Sequence, residues 1–397
     1  MSKFPEGPHY PSSLSRRQLL KLGAAFGLSS VVLGGCAPTS QGTMVDPKTL
    51  LESSASIPID ILVEQAKKEG VISTISLTRD WANYGEIIDS FTQKYGIEYN
   101  GLHTDYDSAQ EVEEIRKTKD TGGEQAPDVV DIGIGLTQAG KEEGLFAPYK
   151  VSTWDTIPDN LKDPEGHWYG DYYGVLTFVV SRTNVKNVPQ DWADLLKPEY
   201  KGTIALGGNP LHSSVATNTI WAAGLSRTGS LDTAPEAGIE FFKELHQSGN
   251  FLPLTEDDPI VTMESGATPI VLHWDYIGLT LRDQLEGNVD VEIVVPQSGI
   301  LGGTYAQAIS AYAPHPFAAR LWVEYLYSDE AQLMWLKGYA HPIRYNDLVR
   351  RGVVPEELAA KLPPAKSYEK ALFPTVDQIT KAVEYIRENW HRVIASE

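Results

Sequence analysis

Two short stretches of aromatic and polar residues carry the groups best able to bind a small molecule. Indole and phenol rings attract cations, and carboxylates form charge-assisted hydrogen bonds with ammonium groups. Each stretch directly follows a predicted strand. We therefore treat these residues as candidate ligand contacts: Thr78, Asp80, Trp81 and Tyr84 from the first stretch, and His273, Trp274, Asp275 and Tyr276 from the second. The alternative is that each ring only packs at the edge of a sheet.

In both stretches a strand passes through a polar turn into a helix. Residues 71–77 form the first predicted strand, and the helix after it has one apolar face that begins at Tyr84. Residues 269–272 form the second, ahead of another helix. Ligands of open α/β sheets bind at the carboxyl ends of strands. The pattern thus predicts that both turns lie at the edge of the sheet where a ligand binds. It also predicts Asp80 or Thr78 as the N-cap of the first helix.

Two further turns could hold a ligand through backbone N–H groups. Gly133 and Gly135 follow a third predicted strand, but residue 138 is glutamine, so the dinucleotide pattern of three glycines is incomplete. The second turn, 207–210, leads into a helix whose first turn carries His212, Ser213 and Ser214 and could hold an anion. The simpler interpretation, which we favour, is that Asn209 caps this helix and Pro210 is its first residue.

The segment 168–180 is the predicted connection between two halves of the chain. It begins as an aromatic, glycine-containing turn and continues as a strand with no charge between Gly174 and Ser181, which indicates burial on both faces. Strands and helices alternate both before and after it. We expect a hinge beside a cleft, with Tyr172 and Tyr173, and Tyr305 on a second crossing, at the floor. The alternative is a central strand of one large domain.

Length and composition restrict the protein class. The chain has 397 residues, 42% of them hydrophobic and 22% charged, which is typical of a soluble globular protein and long for one core. Its formal net charge is −20. Such acidity disfavours nucleic acid and anionic lipid headgroups as partners, and it is also common on secreted surfaces.

The N-terminal residues have the pattern of an export signal. Arg16 and Arg17 precede an uncharged run, 22–35, that is too short to span a bilayer. The arginine pair resembles the twin-arginine signal, and residues 33–36 resemble a lipobox, which implies lipidation of Cys36. We predict a signal peptide over 1–36 and a flexible tether over 37–56. The alternative is an N-terminal helix with a buried thiol.

The sequence contains no persuasive catalytic motif. Cys36 is the only cysteine, so an internal disulfide and a cysteine zinc cage are excluded. Metalloprotease and serine-hydrolase motifs are absent from the sequence, and the histidines are scattered. We expect a non-enzymatic protein without a cofactor. An exported cofactor-containing enzyme and a cell-surface adhesin are the alternatives, and strand–helix alternation argues against the adhesin.

Several blocks resemble the extracellular solute-binding proteins of ABC importers, in the branch of ferric iron, polyamine and thiamine carriers. They are Trp168-Tyr169-Gly170, Lys201-Gly202-Thr203-Ile204, and the run from Ala313 to Gln332. The resemblance covers the chain after Cys36. It implies a two-lobed α/β fold of the type II periplasmic-binding-protein class with hinge strands. It also implies lobe 1 over 57–170 and 299–345, and lobe 2 over 171–298 and 346–397.

The same resemblance implies the partners and the location. They are a small-molecule solute, the transmembrane permease subunits and, through Cys36, the membrane. We expect an extracytoplasmic, lipid-anchored monomer that does not bind nucleic acid.

The sequence predicts the chemical class of the bound solute less narrowly than it predicts the family. Ferric carriers of this branch use paired tyrosinates beside the second lobe's strand ends, whereas Tyr172 and Tyr173 lie on the hinge. Polyamine carriers use aromatic walls and carboxylates, and Trp274 occupies the position of their stacking tryptophan, beside Asp275. We therefore predict an amine-type, cationic solute, either polyamine-like or thiamine-like. Ferric iron is the alternative, and aminophosphonates stay open.

Overall fold

The computed structural model describes residues 47–123, 125–254, 259–363 and 370–394. Cys36, the predicted signal peptide and residues 37–46 of the predicted tether lie outside these ranges. Within them, no helix combines the length and apolar character that crossing a membrane requires.

The first described residues pack against the body of the protein. Helices α1 (Pro47–Leu51) and α2 (Ile59–Glu69) come first, and Leu50 is 2% exposed. The guanidinium of Arg320 donates to the carbonyl oxygens of Leu50, Ser53 and Ala55. The described end of the predicted tether is therefore held in place by a buried arginine.

Three parallel strands, separated by helices, form the first part of the sheet, as the alternating pattern predicts. They are β1 (Val71–Ile75), β2 (Glu98–Leu102) and β3 (Val129–Gly133), in the spatial order β2-β1-β3. The helices are α3 (Tyr84–Tyr95), α4 (Ser108–Thr118) and α5 (Thr137–Glu142), and the short strand β4 (Phe146–Ala147) follows.

The start of α3 differs from the prediction. A 3₁₀ turn, Trp81–Asn83, precedes the helix, and neither Asp80 nor Thr78 caps it. Ala82 and Asn83 both have positive φ, 46° and 63°, so the backbone is left-handed just before Tyr84. The chain therefore turns sharply between the ring of Trp81 and the helix.

Strand β5 (Tyr169–Ser181) connects two groups of strands. Its first half pairs with strands β9 (Gly302–Ser310) and β10 (His341–Pro342). Its second half, from Leu176 to Ser181, pairs with β7 (Ile270–Trp274) and β8 (Val291–Val294). All but one of its residues are buried, as the absence of charge predicts. β5 thus has different neighbours along its two halves, which is the arrangement expected of a crossing strand.

The second group of strands is covered by two closely packed helices. The elements are β6 (Ile204–Leu206), α6 (Ser214–Thr228), α7 (Ala234–Gln247), β7 (Ile270–Trp274), α8 (Asp275–Gln284) and β8 (Val291–Val294). A Cβ on Gly224 would lie 1.8 Å from the carbonyl oxygen of Ala234, so only glycine permits this approach of α6 to α7.

The chain then returns along β5 and ends in a helical tail. β9 (Gly302–Ser310) runs antiparallel to both β5 and β3. The remaining elements are α9 (Pro316–Leu326), α10 (Asp329–Lys337), β10 (His341–Pro342), α11 (Tyr345–Arg350), α12 (Glu356–Ala359), α13 (Val376–Asn389) and α14 (His391–Ile394). α13 packs on α6, on α7 and on the 3₁₀ turn Ile134–Leu136. The tail therefore contacts the turn that follows β3 as well as the two helices that follow β6.

Candidate ligand-binding site

A cavity of about 50 Å³ lies where the carboxyl ends of β3 and β7 meet the start of β9. This volume accommodates a few water-sized chemical groups. Segments that are far apart in the sequence surround it. Its lining consists of Ser108, Gly133, Ile134, Gly135, Leu136, His212, Ser214, Thr217, Asn218, Trp274, Gly302, Gly303, Thr304, Tyr305, Ile379, Val383 and Arg387.

Two helices start at the cavity. Asp107 caps α4 by accepting hydrogen bonds from the N–H groups of Ala109 and Gln110 at 2.9 and 3.0 Å. Ser213 caps α6 through the N–H of Ala216 at 3.2 Å, so the predicted start at Pro210 with Asn209 as cap is wrong. Asn209 instead accepts from the N–H of Leu211 within the preceding turn. Both helices direct the positive ends of their dipoles toward the cavity.

The sides of the cavity approach each other closely at Ser214. A Cβ on Gly133 would lie 3.4 Å from the Cβ of Ser214. The Ser214 hydroxyl lies 3.1 Å from the hydroxyl of Tyr305, and the Ser108 hydroxyl accepts from the N–H of Gly133 at 3.1 Å. Burial raises the pKa of Tyr305, so its phenol keeps its proton at neutral pH. The lining therefore presents neutral hydroxyl groups.

Arg387 provides the one permanent charge in this lining. Its side chain is half-buried, and burial lowers the pKa of its guanidinium while the charge of Asp107 acts in the opposite direction. Its Nη2 donates to the carbonyl oxygen of His212 over 3.4 Å, and its buried Nε has no hydrogen-bond partner among the described residues. The lining contains no aspartate or glutamate within the described ranges.

Beside the cavity, aromatic rings from both predicted binding stretches form one cluster. The ring of Trp81 lies 5.6 Å from that of Tyr276 and 5.6 Å from that of Tyr305, centroid to centroid. Tyr172 stacks on Tyr305 at 5.5 Å, and its hydroxyl accepts a hydrogen bond from the Trp81 indole at 2.7 Å. Tyr84 completes the cluster, with its ring centroid 6.2 Å from that of Tyr172.

Buried carboxyl groups lie under this aromatic cluster. Asp131 Oδ2 accepts from the hydroxyls of Tyr84 and Tyr172 at 2.8 and 3.1 Å, and Asp171 Oδ2 accepts from Gln307 Nε2 at 3.0 Å. The two aspartates are close enough to share a hydrogen bond. Burial raises the pKa of Asp131 to about 6 and that of Asp171 well above its ordinary value. The pair therefore favours a protonated state.

The structure distributes the predicted contacts among different environments. Trp274 and Tyr305 line the cavity, whereas Trp81, Tyr84, Tyr172, His273 and Tyr276 contact other rings of the cluster. Tyr173 stacks on His341 at 5.0 Å. Asp80 is exposed and Thr78 partly buried, and neither lines the cavity.

Asp275 has a backbone role in the structure. Its Oδ1 accepts from the N–H groups of Val175 and Tyr276 at 3.1 and 2.9 Å, and the residue is fully buried. It thereby ties the start of α8 to β5. A Cβ on Gly174 would lie 2.6 Å from this oxygen, which explains the glycine beside it.

Sequence reasoning missed most of the cavity lining. The turns at Gly133 and Ser214 were recognised as possible ligand-holding turns, but Ser108, Asn218 and Arg387 were not singled out. The strand–turn–helix rule could have identified Ser108, which starts the helix after β2. Nothing in the sequence placed Arg387, because its position depends on the path of the tail.

A single group of possible metal ligands occurs in the described part of the chain, away from the cavity. It consists of Asp163, Glu165 and His167. The ammonium of Lys141 lies 2.6 Å from Asp163 and 2.8 Å from Glu165, so a cation of the protein already pairs with both carboxylates.

Comparison with known sequences identifies the family of the chain. The sequence model of a family described as bacterial extracellular solute-binding protein matches residues 124–382. A protein of Sinorhizobium fredii, named as a probable ABC transporter periplasmic-binding protein, is 29% identical over 168 residues, which are 41% of this chain and 44% of that protein. The chain thus spans less than half the length of this relative.

Solved structures with the same fold bind different ligands. A periplasmic binding protein from Actinobacillus pleuropneumoniae with fructose 6-phosphate bound has a TM-score of 0.63 at 20% identity, over 82% of this chain and 98% of that one. Iron-bound HitA from Pseudomonas aeruginosa has a TM-score of 0.63 at 18% identity, over 81% and 99%. A candidate spermidine/putrescine ABC transporter protein from Listeria monocytogenes has a TM-score of 0.62 at 14% identity, over 83% and 100%. The likeness shows the two-lobed α/β fold.

Proposed function

The chain belongs to the family of bacterial extracellular solute-binding proteins, and on this premise we propose that it is the solute-capturing subunit of an ABC importer. It would hold a small solute outside the cytoplasm and deliver it to the permease. The observation that carries the proposal is the cavity, because its lining combines strand ends, two helix starts and the tail helix. Pockets with an apolar wall and a few convergent polar groups are typical of small-molecule sites.

A ligand screen on the purified protein tests this function. A solute at 100 times its Kd stabilises a binding protein by about 2.7 kcal/mol, which a thermal-shift assay detects. Panels of sugar phosphates, carboxylates, polyamines, thiamine and ferric iron cover the open cargo classes. We expect one class to raise the melting temperature of the wild type.

A blocking variant links such a shift to the cavity. Ser214→Phe places a ring where the Ser214 and Tyr305 hydroxyls meet, and it should abolish the shift. Ser230→Phe, at an exposed position after α6, is the matched control and should bind like the wild type. A shift that survives Ser214→Phe unchanged would remove the cavity from the proposal.

Two lobes that close on the solute are part of the proposal. Their boundaries would be those implied by the family resemblance, 57–170 with 299–345 and 171–298 with 346–397. The different pairing partners of the two halves of β5 support this division. A solute that binds the closed form more tightly than the open form drives closure. Small-angle scattering should show a smaller radius of gyration with bound solute, and an unchanged radius would count against closure.

Lipid anchoring at Cys36 is also proposed, on the sequence pattern alone. Cys36→Ser should move the protein from the membrane fraction to the soluble extracytoplasmic fraction of its host. Identical partitioning of the mutant and the wild type would exclude the anchor.

The amine-type cargo predicted from the sequence has mixed support. The aromatic cluster around Trp81 supplies rings that could receive a cation. However, Asp275 is occupied by backbone N–H groups, and no acidic residue lines the described cavity. An ammonium group in the cavity would have no counter-charge. The absence of an acidic residue from the described cavity lining leads us to consider a negatively charged solute.

A further inference from the structure

We infer that the captured solute carries an anionic oxygen group, phosphoryl or carboxylate, and that Arg387 binds it. The inference rests on the proposed function, since it names the chemistry of the solute in the same cavity. It also identifies a specificity-determining residue in the tail helix.

The first argument is that the Arg387 guanidinium has few hydrogen-bond partners within the described part of the protein. This group presents five N–H donors in a planar fork. In the structure one of them makes a hydrogen bond, at 3.4 Å, to the carbonyl oxygen of His212. Arg387 forms no ion pair with any described carboxylate, although its Nε is buried. The buried Nε leaves one donor of this cation unsatisfied, and an anion in the cavity would supply the missing acceptor.

The second argument is that the surrounding groups suit an anion. The Ser108 hydroxyl, one hydroxyl of the hydrogen-bonded pair Ser214 and Tyr305, and the second N–H of the Asn218 amide can donate into the cavity. The positive ends of α4 and α6 point to the same place. Asp107, whose charge acts on Arg387, is outside the lining and uses its Oδ1 to cap α4.

The third argument is how the fold delivers Arg387. Ile379, Val383 and Arg387 are spaced by four residues on α13, so they lie on one face of the helix, and all three line the cavity. A Cβ on Gly135 would lie 2.5 Å from Cγ2 of Ile379, so the glycine lets this face dock on the turn after β3. The apolar residues close the wall, and the arginine extends the same face to the cavity.

Calorimetric titration of the purified protein tests the inference. The probes are inorganic phosphate, fructose 6-phosphate, succinate and, as the opposite charge, putrescine. We expect the wild type to bind at least one of the three oxyanions and not putrescine. Arg387→Gln should weaken that binding by about 10- to 100-fold, which is the usual range for a lost hydrogen-bonded charge contact. Arg387→Lys should lie in between, because it keeps the charge but loses the fork.

Arg392→Gln is the matched control. Arg392 lies in α14, pairs with Glu240 and does not line the cavity, so its variant should bind like the wild type. Thermal melts of all variants without ligand check that they fold.

The outcomes separate this inference from the proposed function. Unchanged oxyanion binding in Arg387→Gln overturns the inference, and so does a wild type that binds putrescine or none of the three oxyanions. If another solute binds and Ser214→Phe blocks it, the proposed function stands and the anionic cargo falls. If no solute of any class binds, both fall.

Discussion

The indole N–H of Trp81 donates to the hydroxyl of Tyr172 over 2.7 Å, which ties the turn after β1 to the strand that crosses the fold. The same hydroxyl donates to Asp131 at 3.1 Å. One phenol oxygen therefore connects three elements of the buried cluster. Tyr172 is fully buried, so losing either bond leaves a polar group of the cluster unpaired, which is costly.

Tyr172→Phe should lower the free energy of unfolding by about 1–3 kcal/mol. The variant keeps the ring but leaves the Trp81 indole N–H without its acceptor, and buried unsatisfied donors cost about this much. Chemical denaturation measures the change. Tyr312→Phe, at a position that is 38% exposed, is the control and should change stability by less than about 0.5 kcal/mol. Equal stability of the two variants would contradict a structural role for the Tyr172 hydroxyl.

Glu69 should make stability fall as the pH rises. Its carboxylate accepts from the N–H groups of Phe317 and Ala318 at the start of α9, yet burial raises its pKa to about 7. A raised pKa means that the fold favours the protonated acid. This contribution is complete below the ordinary glutamate pKa and is lost as the pH rises through 7.

The Glu69 prediction is measured as a difference between variants. From pH 5 to pH 8 the wild type should lose about 1–2 kcal/mol relative to Glu69→Gln, a value reduced for solvent screening because the group is not fully buried. The charges of Asp128 and His315 also act on Glu69, but both residues are present in both proteins. Glu64→Gln, exposed on the same helix, should not alter the pH profile. Parallel profiles for the wild type and Glu69→Gln would refute the prediction.

Asp171→Asn should stabilise the protein at pH 8. Asp131 and Asp171 both have raised pKa values, so the folded state loses stability as the pH rises and the pair ionises. Asparagine keeps an acceptor for Gln307 Nε2 and removes the carboxyl group whose ionisation would place a second negative charge beside Asp131. We expect a gain of about 1–3 kcal/mol at pH 8 and a smaller one at pH 5, where the pair is protonated. A loss of stability at both pH values would show that the carboxylate itself is needed.

Arg320→Met should release residues 47–56 from the body of the protein. Arg320 is buried, donates to three carbonyl oxygens of this segment, and lies 4.4 Å from the ring centroid of Tyr149. Methionine fills part of the volume but leaves the three carbonyl oxygens without a donor. This loss should lower the free energy of unfolding by about 2–4 kcal/mol. Hydrogen exchange of 47–56 should accelerate. Arg350→Met, at a side chain that is 73% exposed, is the control and should leave the exchange rate of 47–56 unchanged. An unchanged exchange rate in Arg320→Met would show that the segment docks without the arginine.

Local sequence patterns determined the order of the elements and the family. The parallel strands β1 to β3 and the crossing strand β5 are evident from apolar runs, turn residues and the absence of charge between Gly174 and Ser181. These signals are local because the types of residues close together in the sequence indicate whether a strand is buried and which face of a helix is apolar. The gathering of Trp81 and Tyr276 in one cluster also follows from the rule that strand ends share an edge.

Only the tertiary structure decided which polar groups are available for a ligand. Asp275 and Arg387 show why. Asp275 follows a strand and was a plausible counter-charge, but the backbone of β5, which lies 100 residues earlier in the sequence, uses its carboxylate. Arg387 had no local signal, because it reaches the cavity only when α13 docks on the turn at Gly135. Hydrogen bonding and desolvation depend on every neighbour in space, whereas a sequence pattern records only the neighbours along the chain.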